Sequence, residues 1–266
     1  MRKTVLTFLA LMLATLATGA YAADMAVKAR PAPLPPPVFS WTGFYVGLHS
    51  GGDWFSKDWF EPTTPINVGC AGCPGPAGNH SASSWLAGGQ VGFNYQTGMW
   101  LVGVEADGSW TDLKATSALV PLTGLLQINS KTDSFGTIAG RVGLTANQAL
   151  FFVKGGGAWA HDRFFTSATP GGPFPGPQGV PIQSTDDTRW GWMVGAGIEY
   201  AFTDNWSVKA EYNYLDFGTQ RETLQPVPAN CPACGAFQYD IRQHIDVVKV
   251  GVNYRFNWAG PVVAKY

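Results

Sequence analysis

The stretch Trp190-Gly191-Trp192-Met193-Val194-Gly195-Ala196-Gly197-Ile198-Glu199-Tyr200-Ala201-Phe202 alternates with period two along its whole length. Trp190, Trp192, Val194, Ala196, Ile198, Tyr200 and Phe202 share one face; Gly191, Met193, Gly195, Gly197, Glu199 and Ala201 share the other. A period of two belongs to a strand, because successive side chains leave a sheet on opposite sides. The apolar face carries aromatic rings at both ends, as two membrane interfaces require, and the other face is small or charged, as a narrow lumen requires.

The same scheme recurs on either side. Residues 85–96 place Trp85, Ala87, Gly89, Val91, Phe93 and Tyr95 opposite Gln90 and Asn94, and residues 100–110 place Trp100, Val102, Val104, Ala106 and Trp110 opposite Glu105, Asp107 and Ser109. Less regular versions occupy 41–54, 134–145, 149–161, 206–216 and 244–256, which makes eight segments. Short turns at Gln96-Thr97-Gly98, Ala146-Asn147-Gln148 and Thr203-Asp204-Asn205 alternate with long connections near 55–81, 113–131, 163–187 and 217–239. Short turns on one rim and long loops on the other are the habit of an outer-membrane barrel, with the long loops outside. The expected fold is therefore all-β, an eight-stranded antiparallel up-and-down transmembrane barrel.

Composition excludes the main rivals. Charged residues are 13% of the chain, where a soluble domain carries roughly 25%. That is too little for a water-facing exterior, such as a secreted barrel with an apolar lumen would need. After the first residues no apolar run approaches the roughly 20 needed for a membrane helix, and a closed barrel is the other structure that satisfies its backbone in lipid.

Met1-Arg2-Lys3, the apolar run Val5 to Leu16 and the small residues Ala20-Tyr21-Ala22 predict a signal peptide over 1–22, with Ala23 opening the mature chain. Removing Arg2 and Lys3 takes the basic count from 17 to 15 against 18 acidic residues, a net charge of −3, so no nucleic acid partner is implied. Residues 23–40 hold Pro31, Pro33, Pro35, Pro36 and Pro37, and read as a periplasmic linker or a leader without a binding role. The barrel is expected over 41–256, followed by a short tail at 257–266.

Two stretches carry a family resemblance. Trp41-Thr42-Gly43-Phe44-Tyr45-Val46-Gly47-Leu48 with Gly51-Gly52, and Val248-Lys249-Val250-Gly251-Val252-Asn253-Tyr254-Arg255-Phe256, resemble the first and closing strands of the small alphaproteobacterial outer-membrane proteins, the OmpA-like family of porin-like major surface antigens. Within the closing strand, Lys249, Gly251, Tyr254 and Phe256 are similar to the signal by which the barrel assembly machinery recognises its clients. The family pattern usually ends the chain, whereas Asn257 to Tyr266 follow here. The resemblance implies a cell outer-membrane location, with outer-membrane lipid, lipopolysaccharide, the assembly machinery and periplasmic chaperones as partners. No peptidoglycan-binding domain follows the last strand, so a tethering role is not implied. The ligand of the loops is not readable.

Projecting the alternation inward puts Glu105, Asp107, Arg141, Lys154, Glu199, Lys209, Glu211, Lys249 and Arg255 on the lumen face. They form either a pore whose charges select solutes or a self-paired polar core. Eight strands leave room for little beyond side chains, which favours the core. Cys70 and Cys73 in the first long loop, and Cys231 and Cys234 in the fourth, would be zinc ligands in a cytosolic chain; export makes disulfides the default, within or between loops. His49, His80, His161 and His244 are expected near the outer rim or in loops, where haem or metal capture is the alternative function. Ser109, His49 and Asp107 can meet in a polar lumen, but no G-x-S-x-G elbow or His-x-x-x-His pair is present, so no catalytic residue and no cofactor are expected. The function expected is structural and interfacial, a porin-like barrel that supports the envelope and displays its loops, with passive passage of small solutes as the runner-up.

Overall fold

The computed structural model describes residues 39–61, 75–118, 126–169, 180–230 and 236–256. They form β1 (Gly43–Glu61), β2 (Gly75–Thr97), β3 (Trp100–Ala118), β4 (Leu126–Ala146), β5 (Ala149–Ala168), β6 (Pro181–Ala201), β7 (Trp206–Pro226) and β8 (Phe237–Phe256). Each strand pairs antiparallel with its sequence neighbours, and β1 closes on β8 from Phe44↔Phe256 to Phe60↔Asp240, so the sheet is a closed barrel. At the short-turn rim, Gly98 (φ 60°) and Asn147 (φ 54°) take the left-handed backbone that two-residue hairpin turns require.

The strands are longer than the alternation in the sequence suggests. They hold 19 to 23 residues each, whereas about 9 to 11 suffice to cross the bilayer. Twenty residues at about 3.3 Å each, tilted by roughly 40°, give a wall about 50 Å high, twice the roughly 25 Å apolar band of such barrels. Much of what reads as long loop at 55–81, 113–131, 163–187 and 217–239 is thus continued strand.

The reason is an inversion of polarity. In the membrane band the outward face is Val46, Leu48, Val102, Val104, Ile138, Val153, Val194, Ile198 and Val250, all exposed, with Trp54, Trp85, Trp110, Trp190 and Trp192 marking the long-loop edge. Beyond that belt Asp58, Asp112, Lys114, Arg163 and Asp186 face outward, while Trp59, Ile128, Phe164, Ile182, Leu224, Tyr239 and Ile241 are buried inside. The extension is a water-exposed β-barrel with an ordinary apolar core stacked on a membrane barrel with a polar one. A search for apolar-outward alternation stops where the polarity flips.

Two stretches of wall lack backbone pairing: β2 and β3 pair only up to Leu86↔Thr111, which leaves 75–85 and 112–118 unpaired with each other. β6 and β7 pair from Ala201↔Ser207 up to Trp192↔Asp216 and again at Ser184↔Gln225 and Gln183↔Pro226, with nothing between. Side chains bridge the gap: Gln220 Nε2 donates to the Trp190 carbonyl at 3.3 Å and Gln220 Oε1 accepts from Arg189 Nε at 3.3 Å.

Candidate functional site

The lumen is filled in layers. At the short-turn mouth Phe39 and Trp41 pack against Leu101, Leu150, Phe152 and Ala201. Trp41 is held by its backbone N–H donating to Gln96 Oε1 at 2.7 Å and its indole N–H to the Asn147 carbonyl at 3.2 Å. Arg255 lies in this mouth, its guanidinium 4.5 Å from the Phe39 ring and 5.4 Å from Trp41, and it donates to the Asp204 carbonyl.

Above this cap lies a buried charge cluster centred on Glu105. Its carboxylate meets Lys154 at 2.8 Å, Lys209 at 3.0 Å and Arg141 at 3.2 Å, and accepts from the Tyr45 hydroxyl at 2.7 Å. Arg141 also reaches Glu199 at 2.9 Å. Glu211 meets Lys154 at 3.0 Å, Lys209 at 3.1 Å and Lys249 at 3.5 Å. Asp107 takes Lys249 at 2.7 Å and a hydrogen bond from Thr137. Eight of the nine lumen charges read from the sequence therefore meet in one cluster, and Arg255 lies at the mouth. Isolated ions could not stand here; several counter-charges per ion are what offset the loss of water. The packing is close: a Cβ on Gly47 would collide with Asn253 Oδ1 and Gln90 Nε2.

His49 belongs to this cluster and not to the rim. It is 4% exposed, with Nδ1 at 2.7 Å from Gln90 Oε1 and Nε2 at 2.8 Å from Ser109 Oγ. It shares an odd-numbered face with Tyr45 and Gly47, opposite Phe44, Val46 and Leu48, and that parity places it in the lumen. Asp107 makes no hydrogen bond to His49; it is turned to Lys249 and Thr137. His80 is also buried, bonded to Ser130 at 2.6 Å and Ser117 at 3.2 Å, and burial with Lys57 nearby lowers its pKa to about 4. Both rings already use both nitrogens inside the barrel and present neither to an outside ligand. His161 and His244 are part-exposed on the outward face of the extension. Among the described residues no group of three or more His, Cys, Asp or Glu is placed to hold a metal. Cys70, Cys73, Cys231 and Cys234 lie outside the described residues.

Next comes an apolar layer of Phe55, Leu86, Leu113, Phe135, Met193, Leu215, Phe217, Ile245 and Val247. A second polar layer, unread in the sequence, follows. Lys57 and Asp162, both fully buried, pair at 2.9 Å with Thr132 bonded to the same carboxylate, and the ammonium sits 4.6 and 4.8 Å from the Phe55 and Phe164 rings. Burial pushes the Lys57 pKa down and Asp162 opposes the fall. Arg189 donates to Gln243 at 3.1 Å and to the Ile241 carbonyl at 2.6 Å. Lys57 falls in a segment that reads as loop, and Thr132, Asp162, Arg189 and Gln243 in the short gaps between the segments read as strand and as loop, so none of them is projected onto the lumen face. The apolar layer of Trp59, Phe164 and Tyr239, with the Trp59 ring centroid 5.4 Å from each of the other two, closes the stack.

A closed, lipid-exposed β-barrel with charges held inside and aromatic belts outside is an outer-membrane protein, located in the cell outer membrane. The chain belongs to the outer membrane protein beta-barrel domain family, whose pattern it matches over residues 7–256. It is 31% identical over 256 residues to the 31 kDa outer-membrane immunogenic protein of Brucella melitensis, covering 93% of this chain and 98% of that one. It is 25% identical over 242 residues to the 25 kDa outer-membrane immunogenic protein of Brucella abortus, covering 89% and 91%. Among solved structures, OprG of Pseudomonas aeruginosa is similar over 83% of this chain and 99% of that one, with a TM-score of 0.47 and 13% identity. The two Brucella relatives are named as immunogenic outer-membrane proteins and not as enzymes.

Proposed function

We propose that the protein is a closed, porin-like structural barrel that supports the outer membrane and presents its long-loop end, outside the cell, as a contact surface. The observation that carries this reading is the lumen itself, crossed by alternating polar and apolar layers and anchored at Glu105, which holds Lys154, Lys209 and Arg141 together. A charge network of this kind acts as a plug, because moving one member leaves others uncompensated in a space water does not reach. Single-channel recording in planar bilayers tests it. Wild-type protein should show little or intermittent conductance, and Arg141→Ala or Glu199→Ala should raise it. A large, steady wild-type conductance unchanged by either substitution would make a solute pore the better reading.

The remaining sequence expectations stand beside it. We infer that 1–22 is removed on export, that 23–40 is a periplasmic linker and that 257–266 is a tail. Lys249, Gly251, Tyr254 and Phe256 serve as the assembly signal; support comes from their place on β8, the strand that closes against β1. Phe256→Asp should leave unfolded protein in the periplasm with its chaperones, and normal heat-modifiable barrel in the outer membrane would overturn that role. Cys70, Cys73, Cys231 and Cys234 should be oxidised, which peptide mapping without reduction reads directly.

A further inference from the structure

We propose that the outward face of β8, β1 and β2 at the long-loop edge of the membrane band binds a sugar ring of the outer-leaflet glycolipid. The proposal rests on the orientation and membrane seating given above. Strand register stacks three rows across this face: His244, Ser56 and Ser81; Asp246, Trp54 and Ser83; Val248, Gly52 and Trp85. The first two rows line a surface concavity of about 300 Å³. That is the lower end of the size of small-molecule sites. In the third row Gly52 adds no side chain, and a Cβ there would have no neighbour closer than 3.7 Å.

The polar groups here are held in place from β7. Tyr212 donates its hydroxyl to one oxygen of Asp246, and the Tyr214 ring stacks on His244 with centroids 5.9 Å apart and planes at 29°. Such fixing removes much of the ordering cost a ligand would otherwise meet. A carboxylate, an imidazole and three hydroxyls beside exposed indoles of Trp54 and Trp85 match a pyranose, whose hydroxyls bond in the ring plane and whose C–H faces cover aromatic surface. Phosphate fits less well: Asp246 is near Asp216, the cross-strand partner of His244, and Asp58 faces Arg242 in the row above. Directly below run the lipid-facing valines Val248, Val250 and Val252, exposed for the acyl chains of the same molecule. A sugar above continuous with acyl chains below is the anatomy of a glycolipid.

The test is calorimetric titration of the full barrel, folded in a zwitterionic sugar-free detergent, with dephosphorylated, deacylated core oligosaccharide. Saturable binding is expected, weakened about tenfold or more by Asp246→Asn and by Trp54→Ala and unchanged by Arg163→Gln on β5, across the ring from β1. Ser81→Val with Ser83→Val gives a second variant on the same face, and heat-modifiable mobility verifies folding of each. No saturation with wild type, equal affinity in the variants, or binding confined to phosphorylated oligosaccharide and abolished by salt would each overturn the site. Conductance of the same preparations reports separately on whether the barrel is closed, so the two ideas fail independently.

Discussion

The membrane band and the extension above it use one sheet and opposite chemistry. In the band, Glu105 and its partners make the core ionic and the exterior is aliphatic; in the extension, Trp59, Phe164 and Tyr239 make the core aromatic and the exterior is ionic. The sheet is indifferent to which face meets which solvent; its backbone is paired around the ring in the membrane band, and the water-exposed extension tolerates the β2–β3 and β6–β7 gaps. What differs is how each region depends on its charges. In the band, ions fill the interior and cannot be spared singly. In the extension, Lys57 and Asp162 are one pair within an apolar core.

The sharpest way to break this contrast is Glu105→Gln, which takes a carboxylate from Lys154, Lys209 and Arg141 at once and leaves Glu211 and Glu199 to hold them. Loss of about 3 to 5 kcal/mol is expected, read as a lower urea midpoint for the heat-modifiable form. A midpoint within error of wild type would mean that water enters the band and screens its charges. The extension should behave in the opposite sense. Replacing both members of its pair, Lys57→Met with Asp162→Leu, should be neutral or raise stability by roughly 1 to 4 kcal/mol, because an apolar pair of similar volume avoids the cost of burying ions. A marked drop in the same urea experiment would show that the two regions obey one rule.

The β6–β7 gap supplies a pH-dependent contrast. Glu222 faces it, and burial together with Asp187 raises its carboxyl from the ordinary 4.5 to about 7, Arg189 opposing and Asp162 adding a little. A raised carboxyl favours the folded state while protonated. The stability it adds is complete below about pH 4.5 and is lost as pH rises through about 7. Amide exchange at 185–191 and 217–224 should quicken over that interval while 192–201 stays protected, and Glu222→Gln should flatten the profile. Uniform exchange across both segments at every pH would count against it. The smallest effect is expected outside. Arg163 and Asp186 pair at 2.7 Å but are about half exposed, so Arg163→Ala should cost no more than about 0.2 to 1 kcal/mol. A larger shift in the urea midpoint would give the polar exterior a role in stability.

The membrane band was legible in the sequence because its alternation is written twice, in the apolar outward residues and in the charges opposite them. Glu199 between Ile198 and Tyr200, and Glu105 between Val104 and Ala106, carry both signals at once. The extension was not, because its outward Asp58, Arg163 and Asp240 reverse the phase, Phe60 and Phe165 beside Trp59 and Phe164 blur the alternation, and Pro- and Gly-containing stretches nearby suggest loop. His49 was readable by parity and was misplaced by reasoning from residue type. Which cation meets which carboxylate depends on tilt and stagger around the ring; Lys209 reaches Glu105 across 104 residues of chain, a relation no local pattern encodes.

The doubled height of the wall also determines reach. With strands carried on past the lipid, their long-loop ends stand roughly 20 to 25 Å beyond the membrane band. In the proposed orientation, whatever that end touches is met beyond the inner part of the polysaccharide layer, within reach of antibodies and other large molecules too bulky to descend to the lipid itself.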